Sequence, residues 1–131
     1  MCIRDSILHG VFDRFPRIRF VAVETGSGWV SPLLKKLGKL YGQTPRAFPR
    51  DPREAFREQV WVSPFYENDL DKLRALLPAD HLLLGSDWPH TEGLRDPLSF
   101  TKDLSEAGFT EDEQQLIMYD NCKGLVQRQP A

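Results

Sequence analysis

Three short apolar runs separated by helix-forming segments predict an α/β protein whose strands are parallel. The runs are Phe20-Val21-Ala22-Val23-Glu24, Val60-Trp61-Val62-Ser63-Pro64-Phe65 and Leu82-Leu83-Leu84-Gly85-Ser86-Asp87. Their apolar residues are consecutive rather than alternating, as expected of strands covered on both faces. Strand and helix alternate along the chain, which implies right-handed crossovers and a layered architecture.

The elements follow in order. Ahead of the first run, Ile7, Leu8, Val11 and Phe12 read as the tail of a helix already in progress, and Met1-Cys2-Ile3-Arg4-Asp5-Ser6 fits poorly with it. Residues 1–6 are therefore read as a non-native leader and residues 7–131 as one continuous unit. After the first run, the turn Thr25-Gly26-Ser27-Gly28-Trp29 leads to Ser31-Pro32, an N-cap and first-turn pair for a helix with Leu33, Leu34, Leu37, Leu40 and Tyr41 on one face. Pro45, Pro49 and Pro52 make residues 43–53 a loop, and Asp51-Pro52 opens a shorter helix. A further helix is expected from Asn68 through Leu70, Leu73, Leu76 and Leu77 until Pro78 stops it. Beyond the third run, Asp96-Pro97 starts a segment with Leu98, Phe100, Thr101 and Leu104. Thr110 with Glu113 then forms a capping box for a last helix through Leu116 and Ile117 to Val126. No internal repeat is visible.

Composition narrows the function classes. The 131 residues are 40% hydrophobic and 27% charged, with 17 basic and 19 acidic side chains and a net charge of −2, values of a single soluble domain. No basic block exceeds Lys35-Lys36, so neither nucleic acid nor an anionic membrane is an expected partner. No apolar stretch approaches the roughly 18 residues that span a bilayer, and no secretory signal follows Met1. The expected compartment is the cytoplasm. Cys2 and Cys122 form no CxxC pair or framework spacing and are read as incidental thiols.

In parallel α/β folds ligands sit at the carboxyl ends of the strands, which directs attention to Glu24, Phe65 and Asp87. A carboxylate closing a buried strand is costly unless it binds a cation, holds hydrogen bonds or borders a wet pocket. His90 follows Asp87 by three residues on the same loop, where it is either a ligand, a proton carrier or a histidine bonded to backbone. His81 precedes its strand and belongs to the opposite, stabilising face, and His9 lies in the first helical segment. Trp61 and Trp88 are read as core rather than as pocket wall. The Gly26 to Gly28 turn invites a phosphate-cradle reading, but the third glycine and distal acid of a dinucleotide site are missing. Neither a GxSxG elbow, a Walker lysine, HExxH nor an EF-hand loop is present.

Taken together, the stretch Gly10 to Arg19, the strand ending in Glu24, Gly28-Trp29-Val30, Trp61-Val62-Ser63-Pro64-Phe65 and Leu84-Gly85-Ser86-Asp87-Trp88-Pro89-His90 resemble the carboxyl-terminal part of amidohydrolase-related proteins, the family that includes aminocarboxymuconate-semialdehyde decarboxylase. The resemblance runs from Ile7 to Val126. It implies a (β/α)₈ TIM barrel, which needs about 250 residues, so these 131 would supply a partial barrel of strands six to eight with their helices. That fits the difficulty that three parallel strands leave edges and faces uncovered.

The resemblance further implies one divalent metal, often zinc, held by a His-x-His pair after strand one, a histidine after strand five and an aspartate after strand eight. Only the aspartate has a counterpart here, Asp87, which would also take or position a proton. Glu24 stands where many members carry a histidine, His90 matches a histidine after the aspartate, and Asn121 matches a structural asparagine. The expectation is the C-terminal part of a metal-dependent hydrolase or decarboxylase (carboxy-lyase) acting on a small carboxylated or cyclic substrate, with Asp87, Glu24 and His90 catalytic and Asp87 a metal ligand. The partner is then a small molecule, alongside a homo-oligomer. The fragment alone is expected to be inactive and without a competent metal site. Two alternatives stand beside this reading: a small non-catalytic α/β module binding anions through the Gly26 to Gly28 turn, and an inactive truncated fragment that associates through open strand edges.

Overall fold

In the computed structural model, which describes residues 3–64 and 69–127, the three apolar runs lie side by side and parallel. β1 (Phe20–Ala22) pairs with β2 (Val60–Val62) in the register Phe20 with Val60, Val21 with Trp61 and Ala22 with Val62. Leu82–Leu84 joins the far side of β2 through a parallel bridge between Val62 and Leu82, and Leu83 N–H donates to the Val62 carbonyl at 3.0 Å. β1 is shorter than its apolar run, and two residues past its end the chain turns into the left-handed region at Glu24, φ 57°. Phe65, which closes the second run, lies outside the described residues, as do Asn68 and Cys2.

Helices precede, separate and follow these strands. They are α1 (Ile3–Leu8), α2 (Val11–Arg14), α3 (Val30–Gln43), α4 (Pro52–Gln59), α5 (Leu70–Arg74), α6 (Phe100–Glu106), α7 (Glu111–Gln115) and α8 (Asn121–Val126). A π-helical turn, Leu116–Asp120, links α7 to α8, and 3₁₀ turns cover Pro45–Ala47, Ala79–His81 and Pro97–Ser99. Phe12, Val30, Leu37, Phe56, Val60, Val62, Leu82, Leu104 and Ile117 meet in one core. Buried polar groups stitch it together. Gln59 Nε2 donates to the carbonyls of Phe12 and Phe15, tying the first helices to α4. Asn121 Nδ2 donates to Ala79 and Leu82 carbonyls, both at 2.8 Å, which is the structural role expected of it.

Several sequence expectations need correction. The first helical segment is two short helices, because Gly10 adopts φ 66° between them. α3 begins one residue before Ser31, with Trp29 at the cap and no side-chain cap bond, so Ser31 lies inside the first turn. α5 ends at Arg74, ahead of Leu76 and Leu77, although Leu77 still enters the core. Trp88 is 65% exposed, not core. Trp61 is half-buried, its ring stacked on His81 at 4.4 Å between centroids and its Nε1–H donated to the Asp80 carbonyl. The first run is covered on one face only. Ala22 is buried against the helices, whereas Val21 and Val23, which alternate with it, are exposed, because nothing among the described residues packs on that side.

Candidate functional site

The site forms where β1 and the third run end. Glu24 and Asp87 each close an apolar run, and both adopt left-handed backbone, φ 57° and 51°. Outside glycine that conformation is uncommon and costs on the order of 1 kcal/mol; here it re-aims two side chains that would otherwise follow the alternation of their strands. The result is convergence. Glu24, Asp87 and His90 each offer one ligand atom, and these atoms lie within 4.8 Å of one another.

The loop after Asp87 is closed on itself. His90 N–H donates to the Asp87 carbonyl, Gly93 N–H to the His90 carbonyl, and Leu94 N–H to the Ser86 carbonyl at 2.7 Å. Trp88 N–H reaches Ser86 Oγ, and the Trp88–Pro89 peptide is cis. A Cβ at position 93 would collide with the Asp87 carbonyl, so glycine there lets the loop fold back onto the strand end.

These turns set the side-chain geometry. The Asp87 side chain is only 7% exposed, that of His90 65%, and the two meet at 2.7 Å between Oδ1 and Nδ1. A carboxylate can only accept, so Nδ1–H is the donor and Nε2 is left for other partners. The hydrogen bond to Asp87, followed by the charges of Asp87, Glu92 and Glu24, raises the His90 pKa above its ordinary value. The Glu24 carboxylate is exposed.

Beneath the site lies a contact that sequence patterning does not reveal. The Ser63 hydroxyl is buried with no hydrogen-bond partner among the described residues, and it occupies the space that a Cβ at Gly85 would need. Glycine at 85 is therefore dictated by Ser63 across the strand. The only sequence hint was the glycine itself, since an isolated glycine in a strand marks close approach.

The other candidates fall elsewhere. His81 is on the far side of the sheet, its Nδ1 on Asp80 at 3.1 Å and its Nε2 near the Glu58 carbonyl, as expected of a stabilising residue. His9 is exposed in the link between α1 and α2. The Gly26 to Gly28 turn borders a cavity of about 300 Å³ lined by Ser27, Gly28, Ser31, Lys72 and Leu73. Its cation, Lys72, is already paired with Asp69 at 3.0 Å, which weakens the anion-module reading.

Comparison with known proteins adds the following. A family model described as amidohydrolase matches residues 3–126. The chain is similar to an amidohydrolase of Mycobacterium avium subsp. paratuberculosis K-10, 45% identical with a TM-score of 0.87, over 93% of this chain and 31% of that one. It shares its fold with 5-carboxyvanillate decarboxylase LigW of Sphingomonas paucimobilis, at a TM-score of 0.72 and 22% identity over 93% of this chain and 37% of that one. It is also 25% identical over 123 residues to decarboxylase orsB of Emericella nidulans, covering 89% of this chain and 37% of that protein. The chain thus spans about a third of the length of the relatives it matches.

Proposed function

The chain belongs to the amidohydrolase family, and from that premise we propose that it is the C-terminal part of a metal-dependent hydrolase or carboxy-lyase acting on a small carboxylated or cyclic substrate. In this reading β1, β2 and the run Leu82–Leu84 are strands six, seven and eight of a (β/α)₈ barrel. The observation that carries it is the convergence of Glu24, Asp87 and His90 at the carboxyl ends of parallel strands, where barrel enzymes place their chemistry.

The donor set fits a divalent cation. Two carboxylate oxygens and one imidazole nitrogen suit zinc or a similar ion, and catalytic zinc takes three protein ligands. Asp87 is the ligand assigned from this chain, with Glu24 and His90 beside it. A metal held there would polarise a substrate carbonyl or carboxylate and acidify water. The chain's own residues do the rest. Asp87 takes or positions a proton, and because His90 Nδ1–H fixes its Oδ1, its other oxygen is oriented for that task. His90 presents Nε2 at the rim. Glu24 offers a carboxylate where an imidazole would offer a donor.

The compartment proposed is the cytoplasm, and the partners are a small molecule and further copies of the protein, with no nucleic acid or membrane. Among the described residues no helix is long and apolar enough to cross a membrane. Asp87→Asn in the full-length protein should abolish turnover by at least about a hundredfold; unchanged turnover would sink the assignment.

A further inference from the structure

We infer that His81 is a proton-operated clasp. As imidazolium it ties the end of α4, the strand β2 and the turn that starts the third run, and it releases one of its two hydrogen bonds when it loses a proton. The clasp sits at the opposite end of the strands from Glu24, Asp87 and His90 and does not depend on their chemistry.

His81 leads directly into Leu82, where the third run meets β2. Its side chain is 14% exposed, and the groups that meet it favour a cation. Nδ1 lies 3.1 Å from Asp80 Oδ1, a carboxylate oxygen, and Nε2 lies 3.3 Å from the Glu58 carbonyl. Both oxygens accept and neither donates. A neutral imidazole has one N–H, so it makes one of these bonds and turns a lone pair toward the other oxygen; the imidazolium makes both. The Glu58 carbonyl is among those that α4 leaves unpaired at its C-terminus, where the helix dipole favours positive charge. Trp61 supplies the third contact, stacked on the imidazole with 4.4 Å between centroids and 27° between planes. An aromatic face attracts a cation at that distance. Trp61 is fixed there because its Nε1–H is donated to the Asp80 carbonyl at 2.9 Å.

The charges nearby are mainly acidic. Asp80 is bonded to the ring, and the π turn and α7, which pack against its turn, carry Tyr119, Asp120, Glu111, Asp112 and Glu113. On α4 the Glu58 carboxylate is held by Arg50 at 2.7 Å, and Arg57 donates to the Leu76 carbonyl. Arg19 shares a groove with Trp61 and Asp80 but donates to the Gly124 carbonyl. The folded chain holds the proton through contacts that the unfolded chain lacks, so the clasp stabilises fully in acid and is lost as pH rises.

The test uses the full-length protein labelled with nitrogen-15, its ring nitrogens observed by NMR and the His81 signals identified by their loss in His81→Gln. At about pH 7.5, where a solvated imidazole is about nine-tenths neutral, both His81 nitrogens should still carry a proton. In Asp80→Asn, which removes a carboxylate that is 62% exposed and keeps the ring, one nitrogen should be bare at the same pH. The urea midpoint of the wild type should exceed that of His81→Gln by at least about twice as much near pH 6 as near pH 9. A bare His81 nitrogen in the wild type at about pH 7.5, unchanged protonation in Asp80→Asn, or a midpoint gap that is flat or grows with pH overturns the proposal. If His81→Gln does not fold, Trp61→Phe identifies the signals through the altered ring current and the protonation results decide alone.

Discussion

Gly85 and Ser63 show how a site is supported by residues that do no chemistry. A methyl group at 85 would overlap the Ser63 hydroxyl, so Gly85→Ala should cost about 1–3 kcal/mol by overpacking, read as a lower denaturant midpoint. Ser63→Ala removes a buried hydroxyl that has no partner and should be neutral or stabilising. The double variant should recover part of the Gly85→Ala loss; additive losses would show that the two positions do not meet. At this scale the sequence was partly legible. Asking which residues close apolar runs pointed to Glu24 and Asp87, and the three-residue spacing after Asp87 pointed to His90; the fold brings the three together. The Gly85–Ser63 contact was not legible, because it depends on the register of two strands that no local pattern encodes. Trp88 was misread because an indole in a loop folded back on itself has no core to enter.

The elements divide by whether a local bond defines their ends. Asp51 accepts from Arg53 N–H at 2.9 Å to start α4, and Thr110 and Glu113 form the complete capping box of α7; both were visible in the residues. Thr110→Ala should cost about 1 kcal/mol in thermal or denaturant unfolding. The Glu113 carboxyl is held below its ordinary value of 4.5, first by the Thr110 backbone N–H and also by Arg74. A lowered native pKa stabilises above the unfolded value and is lost as pH falls through the native one. The stability difference between the parent and Glu113→Ala should therefore be full near pH 6 and shrink below about pH 4; a difference that grows on acidification would contradict the cap. The start of α3 and the π turn Leu116–Asp120 were not legible. Trp29 sets the first through its Nε1–H bond to the Gly26 carbonyl at 2.8 Å. In the second, the Ile117 carbonyl accepts from Leu84 N–H at 2.9 Å, a tertiary contact that no helical propensity reports.

For the whole molecule, the first strand is covered on one face only. Helices bury Ala22, Val60, Val62 and Leu82, while Val21 and Val23 stand exposed and β1 pairs only with β2 among the described residues. Such an edge is a template for another strand. The 131-residue chain expressed alone should associate as concentration rises, and Val23→Lys should raise the concentration required, both measured by sedimentation; a monomer at all concentrations would mean that the open edge is not sticky. The α/β class and parallel order were legible from continuous apolar runs, but the one-sided cover was not, since apolarity records what a strand face needs and not what lies on it. The central claim is that Asp87 is a metal ligand of an amidohydrolase site. Its most direct test is elemental analysis of the purified full-length protein beside its Asp87→Asn variant, with folding checked by circular dichroism. The account predicts about one divalent ion per chain in the parent and loss of most of it in a folded variant; equal metal content in both proteins would contradict it.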